Sequence, residues 1–154
     1  MSGKARVVSV NISDRVGEKK NNVHDCPVVV GHGLEGDAHA GGWHRQVSLL
    51  AVESIDRMRS EGADVWPGDF AENITVQGMD LVSLPLGAKL RVGEDVVLEI
   101  TQHGKECHRG CAIRELAGDC VMPREGVFAT VLEGGRAAVG DEVRLLEEGG
   151  GEDV

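Results

Sequence analysis

The sequence predicts a mostly β domain, a closed barrel-like sheet with a few short helices. Three observations carry that expectation. Short β-branched runs recur along the chain, glycine turns separate them, and helical periodicity is confined to brief stretches. A length of 154 residues suits a single domain, expected over 1–148, with the acidic, glycine-rich end 149–154 frayed. Apolar residues make up 41% of the chain, enough to build a core.

Arg6 to Ile12 reads as a first strand, followed by a long polar loop from Ser13 to Asp25 that contains Glu18-Lys19-Lys20. Val28 to Val30 is a buried-strand candidate. A glycine-dense stretch, Gly31 to Gly42, then permits tight turns and close backbone approach to a ligand. Gln46 to Leu50 reads as a strand and Glu53 to Glu61 as a helix, with Ile55 and Met58 on one face and Gly62 as its stop. Ile74 to Val76 is a further strand. Val92-Gly93-Glu94-Asp95-Val96 is echoed by Val139-Gly140-Asp141-Glu142-Val143, and both carry hairpin chemistry. Cys111 to Leu116 and Val127 to Leu132 are expected as short helices.

The net charge of −10, with no basic run, argues against general nucleic-acid binding. Aromatic residues are only 3% of the chain, so platforms for stacking bases are scarce. An anionic ligand would need a local basic pocket. No apolar leader or membrane-spanning run is present, so a cytoplasmic protein without membrane contact is expected. In a reducing compartment Cys26, Cys107, Cys111 and Cys120 are not expected to form structural disulfides.

The most informative window is His103-Gly104-Lys105-Glu106-Cys107-His108-Arg109-Gly110-Cys111. Thiolate and imidazole together suit zinc, but there is no Cys-x-x-Cys pair and no second pair at finger distance. The alternative is one reactive thiol at Cys107. Lys105, His108 and Arg109 favour its thiolate, and Glu106 opposes them. Such a thiolate can carry a persulfide, attack as a nucleophile, or bind a soft metal such as molybdenum. Cys111 is a candidate resolving partner, with burial the plainer role for Cys26, Cys111 and Cys120.

Several segments resemble the MOSC domain family, named for the C-terminal domain of molybdenum cofactor sulfurases. They are Gly36-Asp37-Ala38-His39-Ala40-Gly41 with His44-Arg45-Gln46-Val47-Ser48-Leu49-Leu50, then Gly68-Asp69-Phe70-Ala71-Glu72-Asn73-Ile74, Leu86 to Gly93, Thr101-Gln102 leading to Cys107, and Arg124 to Leu132 with Val139-Gly140-Asp141. The likeness spans roughly residues 6 to 146. It implies the barrel-like MOSC fold, the molybdenum cofactor (a phosphorylated pterin dithiolene) as ligand, and Cys107 as the catalytic residue that carries sulfur or ligates molybdenum. The segment His103 to Glu106 departs from the family in lacking prolines before the cysteine. No pyridoxal-phosphate site is recognised, so sulfur would come from a partner such as a cysteine desulfurase or a cofactor-assembly protein.

Four further residues are candidates for holding the cofactor. His39 can donate to an oxo group or phosphate, with Arg45 close in sequence. Asn73 can meet the pterin edge, or cap the turn before a strand. Arg124 is a candidate phosphate clamp because guanidinium binds phosphate bidentately. His39, Arg45 and Arg124 are expected to converge near Cys107. Asp37 is a turn residue or a minor ligand, and Trp43 and Trp66 wall a pocket or pack in the core. The leading function is a sulfur carrier in maturation of the molybdenum cofactor. The alternatives are a molybdenum-dependent reductase of N-hydroxylated compounds and a zinc-stabilised, non-catalytic interaction module.

Overall fold

The computed structural model describes residues 5–15, 19–104 and 125–147. In chain order its elements are β1 (Ala5–Ile12), β2 (Asn21–Asn22), β3 (Asp25–Val29), β4 (Gly33–Leu34), β5 (Val47–Ala51), α1 (Val52–Ser60), β6 (Ile74–Gln77), a 3₁₀ turn (Leu81–Ser83), β7 (Lys89–Val92), β8 (Val96–His103), β9 (Val127–Glu133), β10 (Gly135–Ala138) and β11 (Glu142–Glu147).

Seven of these strands close a barrel in the order β1-β6-β5-β9-β8-β7-β11, and β11 returns to β1 through Ala5 opposite Val143. Closure removes the exposed sheet edges that invite aggregation. β5 and β6 run parallel, with Leu49 opposite Ile74, because α1 carries the chain back between them. Period-2 alternation sends Val7, Leu49, Ile74, Val76, Leu90, Leu98, Ile100, Val127 and Val131 into the barrel, which is filled by side chains.

A second apolar cluster lies outside the barrel wall. Leu50 and Phe128 project outward and are covered by Ile55 and Met58 of α1 together with Val65, Phe70 and Ala71. β5 is thus buried on both faces, which is why Val47 to Leu50 reads as an almost unbroken apolar run. Ile55 and Met58 are one helical turn apart, so both reach this layer, and Gly62, at φ 103°, ends the helix as expected. A small sheet, β10-β3-β4, flanks the barrel.

The structure corrects five expectations. Of the buried strand expected at Val28 to Val30, only Val28 is buried, and the strand ends at Val29. Residues 127–132 are strand, not helix: Val127, Ala129 and Val131 alternate into the core, and β8 pairs along them. The Val92–Val96 turn is a hairpin, but its echo at Val139–Val143 is not. There the chain passes from β10, paired with β3, to β11, paired with β7 and β1. The Ser13–Asp25 loop is interrupted by β2, which pairs with the end of β1. Finally, neither tryptophan is core: Trp43 is 38% and Trp66 51% exposed. Both are stacked under guanidinium groups, Arg45 at 4.6 Å and Arg59 at 3.7 Å from the ring centroids. The expected helix at Cys111–Leu116 and the tail from Gly149 lie outside the described residues.

Candidate functional site

The glycine-dense stretch 31–42 folds against the loop that follows β1, and a buried ion pair ties the two together. Lys20 Nζ lies 2.7 Å from Asp37 Oδ1, with both side chains fully enclosed. The ammonium also contacts Ser13 Oγ at 3.1 Å and His39 Nδ1 at 3.0 Å. Asp37 in turn accepts the backbone N–H of Ser13 through Oδ1 and that of His39 through Oδ2. Burial pushes the Asp37 carboxyl up. The Lys20 hydrogen bond and charge, with the Asn73 amide and the Ser13 N–H, outweigh that and hold it below its ordinary value. Asp37 therefore performs the turn chemistry expected of it, bonding two residues onward, and also neutralises a buried cation.

From His39 the loop runs to Arg45 by way of Trp43. The Trp43 indole N–H donates to the His39 carbonyl at 2.8 Å. Its ring carries the Arg45 guanidinium, which also stands 5.4 Å from the centre of the Phe128 ring. Arg45 Nε is enclosed without a hydrogen-bond partner, and among the described residues no carboxylate pairs with Arg45. Beside it, the His44 ring meets Gln102 Oε1 at 2.7 Å, and the Thr101 hydroxyl donates to the His44 carbonyl. These contacts fasten the Trp43–Arg45 corner to the outer wall of the barrel near the end of β8. There Gln102 pairs with Phe128 and the chain continues toward Cys107.

Asn73 stands behind Asp37 in this arrangement. It is fully buried, its Oδ1 accepts from the Ser48 N–H at 2.9 Å, and its Nδ2 donates to the Asn11 carbonyl at 3.1 Å. Its amide thus bridges β5 and β1. The structure joins His39 and Arg45 through the Trp43 indole. Cys107, Arg124, Cys111 and Cys120 lie outside the described residues. Cys26 is buried as expected, and burial raises its thiol pKa.

Two features escaped sequence reasoning. Lys20 reads as one of two adjacent loop lysines, yet it is enclosed and Lys19 is not. Glu72 is wholly buried behind β1 and β6, where its Oε2 accepts from Thr75 Oγ1 at 2.6 Å and Gly68 N at 2.8 Å. Burial pushes its carboxyl up to about 7 against the pull of those bonds. Glu72 Oε1 and Asn11 Oδ1 are both enclosed without partners. On the far side of α1, a cleft of about 510 Å³ is lined by Ser54, Arg57, Met79, Leu81 and Glu125 among others. Its one arginine is already bonded to Glu125.

The MOSC domain family model matches residues 36–144. The chain belongs to the MOSC domain family. Solved structures share the fold. The YuaD protein from Bacillus subtilis superposes with a TM-score of 0.76 at 21% identity, covering 91% of this chain and 94% of that one. YiiM from Geobacillus stearothermophilus gives 0.70 at 20% identity, over 93% of this chain and 75% of that one. YiiM from Escherichia coli gives 0.67 at 19%, over 94% and 70%. At such identities the likeness is one of fold. No protein of curated function matches the chain.

The MOSC family is associated with molybdenum-cofactor-related function. The described residues fit an anionic ligand of that kind at one place. Arg45 holds an undischarged guanidinium with an orphaned Nε, and two aromatic rings orient it without neutralising it. No group of three or more His, Cys, Asp or Glu suited to a metal ion occurs among the described residues. None of the described helices is long and apolar enough to cross a membrane.

Proposed function

We propose that this MOSC domain binds the molybdenum cofactor and serves as a sulfur carrier in its maturation, with Cys107 as the reactive residue. The observation that supports the reading is Arg45: a cation fixed on Trp43 and Phe128, lacking a carboxylate partner among the described residues, in a family tied to this cofactor. When bound, the cofactor supplies a molybdenum centre that accepts or gives up sulfur. Arg45 would hold its anionic phosphate, by one or two charge-assisted hydrogen bonds. His39 would donate a further hydrogen bond, and Arg124 would add a second guanidinium. The thiolate of Cys107 would attack the outer sulfur of a donor persulfide. One S–S bond forms on Cys107, one breaks in the donor, and the donor leaves as thiolate, with no net redox change. A cysteine desulfurase is the class of partner able to supply that persulfide.

The test is to express the chain under molybdenum-replete conditions and measure molybdenum, zinc, pterin and persulfide on the purified protein. Co-purifying molybdenum and pterin are expected. Arg45→Ala should lower their retention by roughly tenfold or more, the worth of a charge-assisted bond. Cys107 should be the first thiol labelled by limiting iodoacetamide, and Cys107→Ala should abolish the persulfide. Zinc without pterin, or labelling at Cys26 or Cys120 with Cys107 inert, would overturn the reading.

A further inference from the structure

Among the described residues, Glu72 is the buried acid with no cation bonded to it, whereas Asp37 has Lys20. Its surroundings are polar but uncharged. β1 supplies Ser9 and Asn11, β6 supplies Thr75, and the 66–71 turn supplies the Gly68 N–H. The donors there are already committed. Asn11 Nδ2 donates to Ser9 Oγ at 3.0 Å and to the Glu72 carbonyl at 3.1 Å. Ser9 Oγ donates to Thr75 Oγ1 at 2.8 Å, and Thr75 Oγ1 to Glu72 Oε2 at 2.6 Å. Glu72 Oε1 and Asn11 Oδ1 are the acceptors left over. A carboxylate so placed keeps its full charge and one bare oxygen, while a carboxyl proton removes the charge and adds a donor. The charged side chains of the flanking segments are matched to one another, Lys20 to Asp37 and Lys19 to Asp69 at 4.0 Å.

The turn that Glu72 closes is strained. Ala71 holds φ 64°, a left-handed conformation that L side chains resist, and Gly68 holds φ 93°. The Glu72 Oε2–Gly68 N bond spans this turn, and the Gly68 carbonyl accepts the Lys20 N–H at 2.8 Å. Gly68 lies so close to the Lys20 carbonyl that an added Cβ would collide with it. We propose that Glu72 is a pH-sensitive latch: its neutral carboxyl seals the 66–71 turn and the Lys20 segment against β1, and loss of its proton lets them open to water. The chemical step is a deprotonation, with the proton passing to solvent. The carboxylate left behind gains hydration only when the turn moves off it, and the same movement releases the strain at Ala71. The latch is therefore closed at low pH and loosens as the pH rises. Burial, which pushes the carboxyl up to about 7, sets that change near neutrality. Because Lys20 is also bonded to Asp37, the opening reaches the 31–42 loop.

The test is backbone amide hydrogen exchange of the full chain from about pH 5.5 to about pH 8.5, corrected for intrinsic rate, in the wild type and in Glu72→Gln. A ¹³C titration of the Glu72 side-chain carboxyl runs beside it. Glutamine keeps the shape of the side chain and offers a donor that does not titrate. The wild-type carboxyl should titrate well above its ordinary value. As it does so, protection of the Gly68 and Lys20 amides should fall about tenfold or more. In Glu72→Gln the protection should stay level. The Leu98 amide of β8 serves as the reference for global unfolding, and at the upper end of the range Gly68 and Lys20 should exchange faster than Leu98. Parity with Leu98 would mean that the whole domain unfolds instead, and would overturn the proposal. So would a carboxyl that titrates at its ordinary value, protection that stays level in the wild type, or an equal fall in both proteins. Should Glu72→Gln not fold, the wild-type titration and the comparison with Leu98 decide. The measurement needs no ligand, so its failure is distinct from failure of the cofactor assay.

Discussion

Replacing Lys20 with Met probes the strongest electrostatic commitment in the described structure. The substitution preserves most of the side chain's bulk and removes its charge. Asp37 would keep its backbone N–H donors and the Asn73 amide but lose its cation, and Ser13 Oγ and His39 Nδ1 would lose their shared donor. Because both side chains are fully enclosed, solvent cannot screen the remaining carboxylate. Breaking a buried pair from one side costs about 3–5 kcal/mol. For a domain of this size that lowers Tm by roughly 6–20 °C. Urea unfolding should show a lower midpoint with an unchanged slope. Lys20→Met/Asp37→Leu should recover most of the loss, since apolar pairs often replace buried ion pairs at little cost. The pH dependence has a definite sign. Asp37 titrates below its ordinary value when folded, so its contribution is complete above about pH 4 and is lost as the pH falls through the folded value. A cost below about 1 kcal/mol for Lys20→Met would match an exposed pair and refute the enclosed one.

Glu72 titrates in the opposite direction. Its folded carboxyl, at about 7, exceeds the ordinary 4.5, so folding favours its protonated form. Wild-type stability should therefore decline between about pH 4.5 and 7 and level off above, a loss of roughly 3 kcal/mol. Glu72→Gln should be more stable than the wild type by a similar amount at pH 8, and indistinguishable below about pH 5, as read by thermal unfolding across that range. An ordinary pH profile identical in both proteins would remove Glu72 as the titrating group. Gly68 underlies both buried charges, since its carbonyl accepts from Lys20 N and its N–H donates to Glu72. At φ 93° an added Cβ would collide with the Lys20 carbonyl, so Gly68→Ala should cost roughly 2–5 kcal/mol in strain and overlap. Gly31, at φ 70° in open space, should cost only about 1–2 kcal/mol when changed to Ala. Equal costs by urea unfolding would show that the collision relaxes.

What was legible in the sequence was governed by periodicity. The barrel could be read from β-branched runs because each inward side chain of β6 or β8 occupies every second position, a local property that β1 keeps only from Ala5 to Val7, before its bulge. The same signal failed at Val127–Leu132, where an apolar run buried on both faces lacks clean alternation: Val127 and Ala129 fill the barrel while Phe128 faces α1. The site was legible only where its members are close in sequence, as with His39, Trp43 and Arg45. Lys20 lies 17 residues before Asp37, and nothing in Glu18-Lys19-Lys20 marks which lysine turns inward. Glu72 was missed for a different reason. Buried carboxylates are rare, so its position ahead of Asn73 suggested motif chemistry rather than a carboxyl sealed behind β1. Asn73 was legible as a special residue but not as a bridge, because its partners Ser48 and Asn11 come from strands that only the closed barrel brings beside it.

The way Arg45 is held bears directly on how an acidic chain can bind an anion. A protein of net charge −10 repels such a ligand at long range, so the local cation must keep its charge available. An ion pair would fix an arginine in place but cancel much of its field, as Glu125 does for Arg57 at the cleft beside α1. Stacking is different. The quadrupoles of Trp43 and Phe128 orient the guanidinium plane at a gain of about 0.5–2 kcal/mol while leaving its N–H groups undischarged. The barrel interior is filled by side chains, so the proposed ligand would bind outside it. There Phe128 serves twice, as part of the layer under α1 and as the second aromatic face near Arg45. Trp43→Ala should thus loosen Arg45 and weaken anion binding without disturbing the core, whereas Phe128→Ala should damage both. Inorganic phosphate titration and urea unfolding, run on the two variants side by side, separate these effects. Equal stability losses would mean that Trp43 belongs to the core after all, and the 38% exposure of the residue argues that it does not.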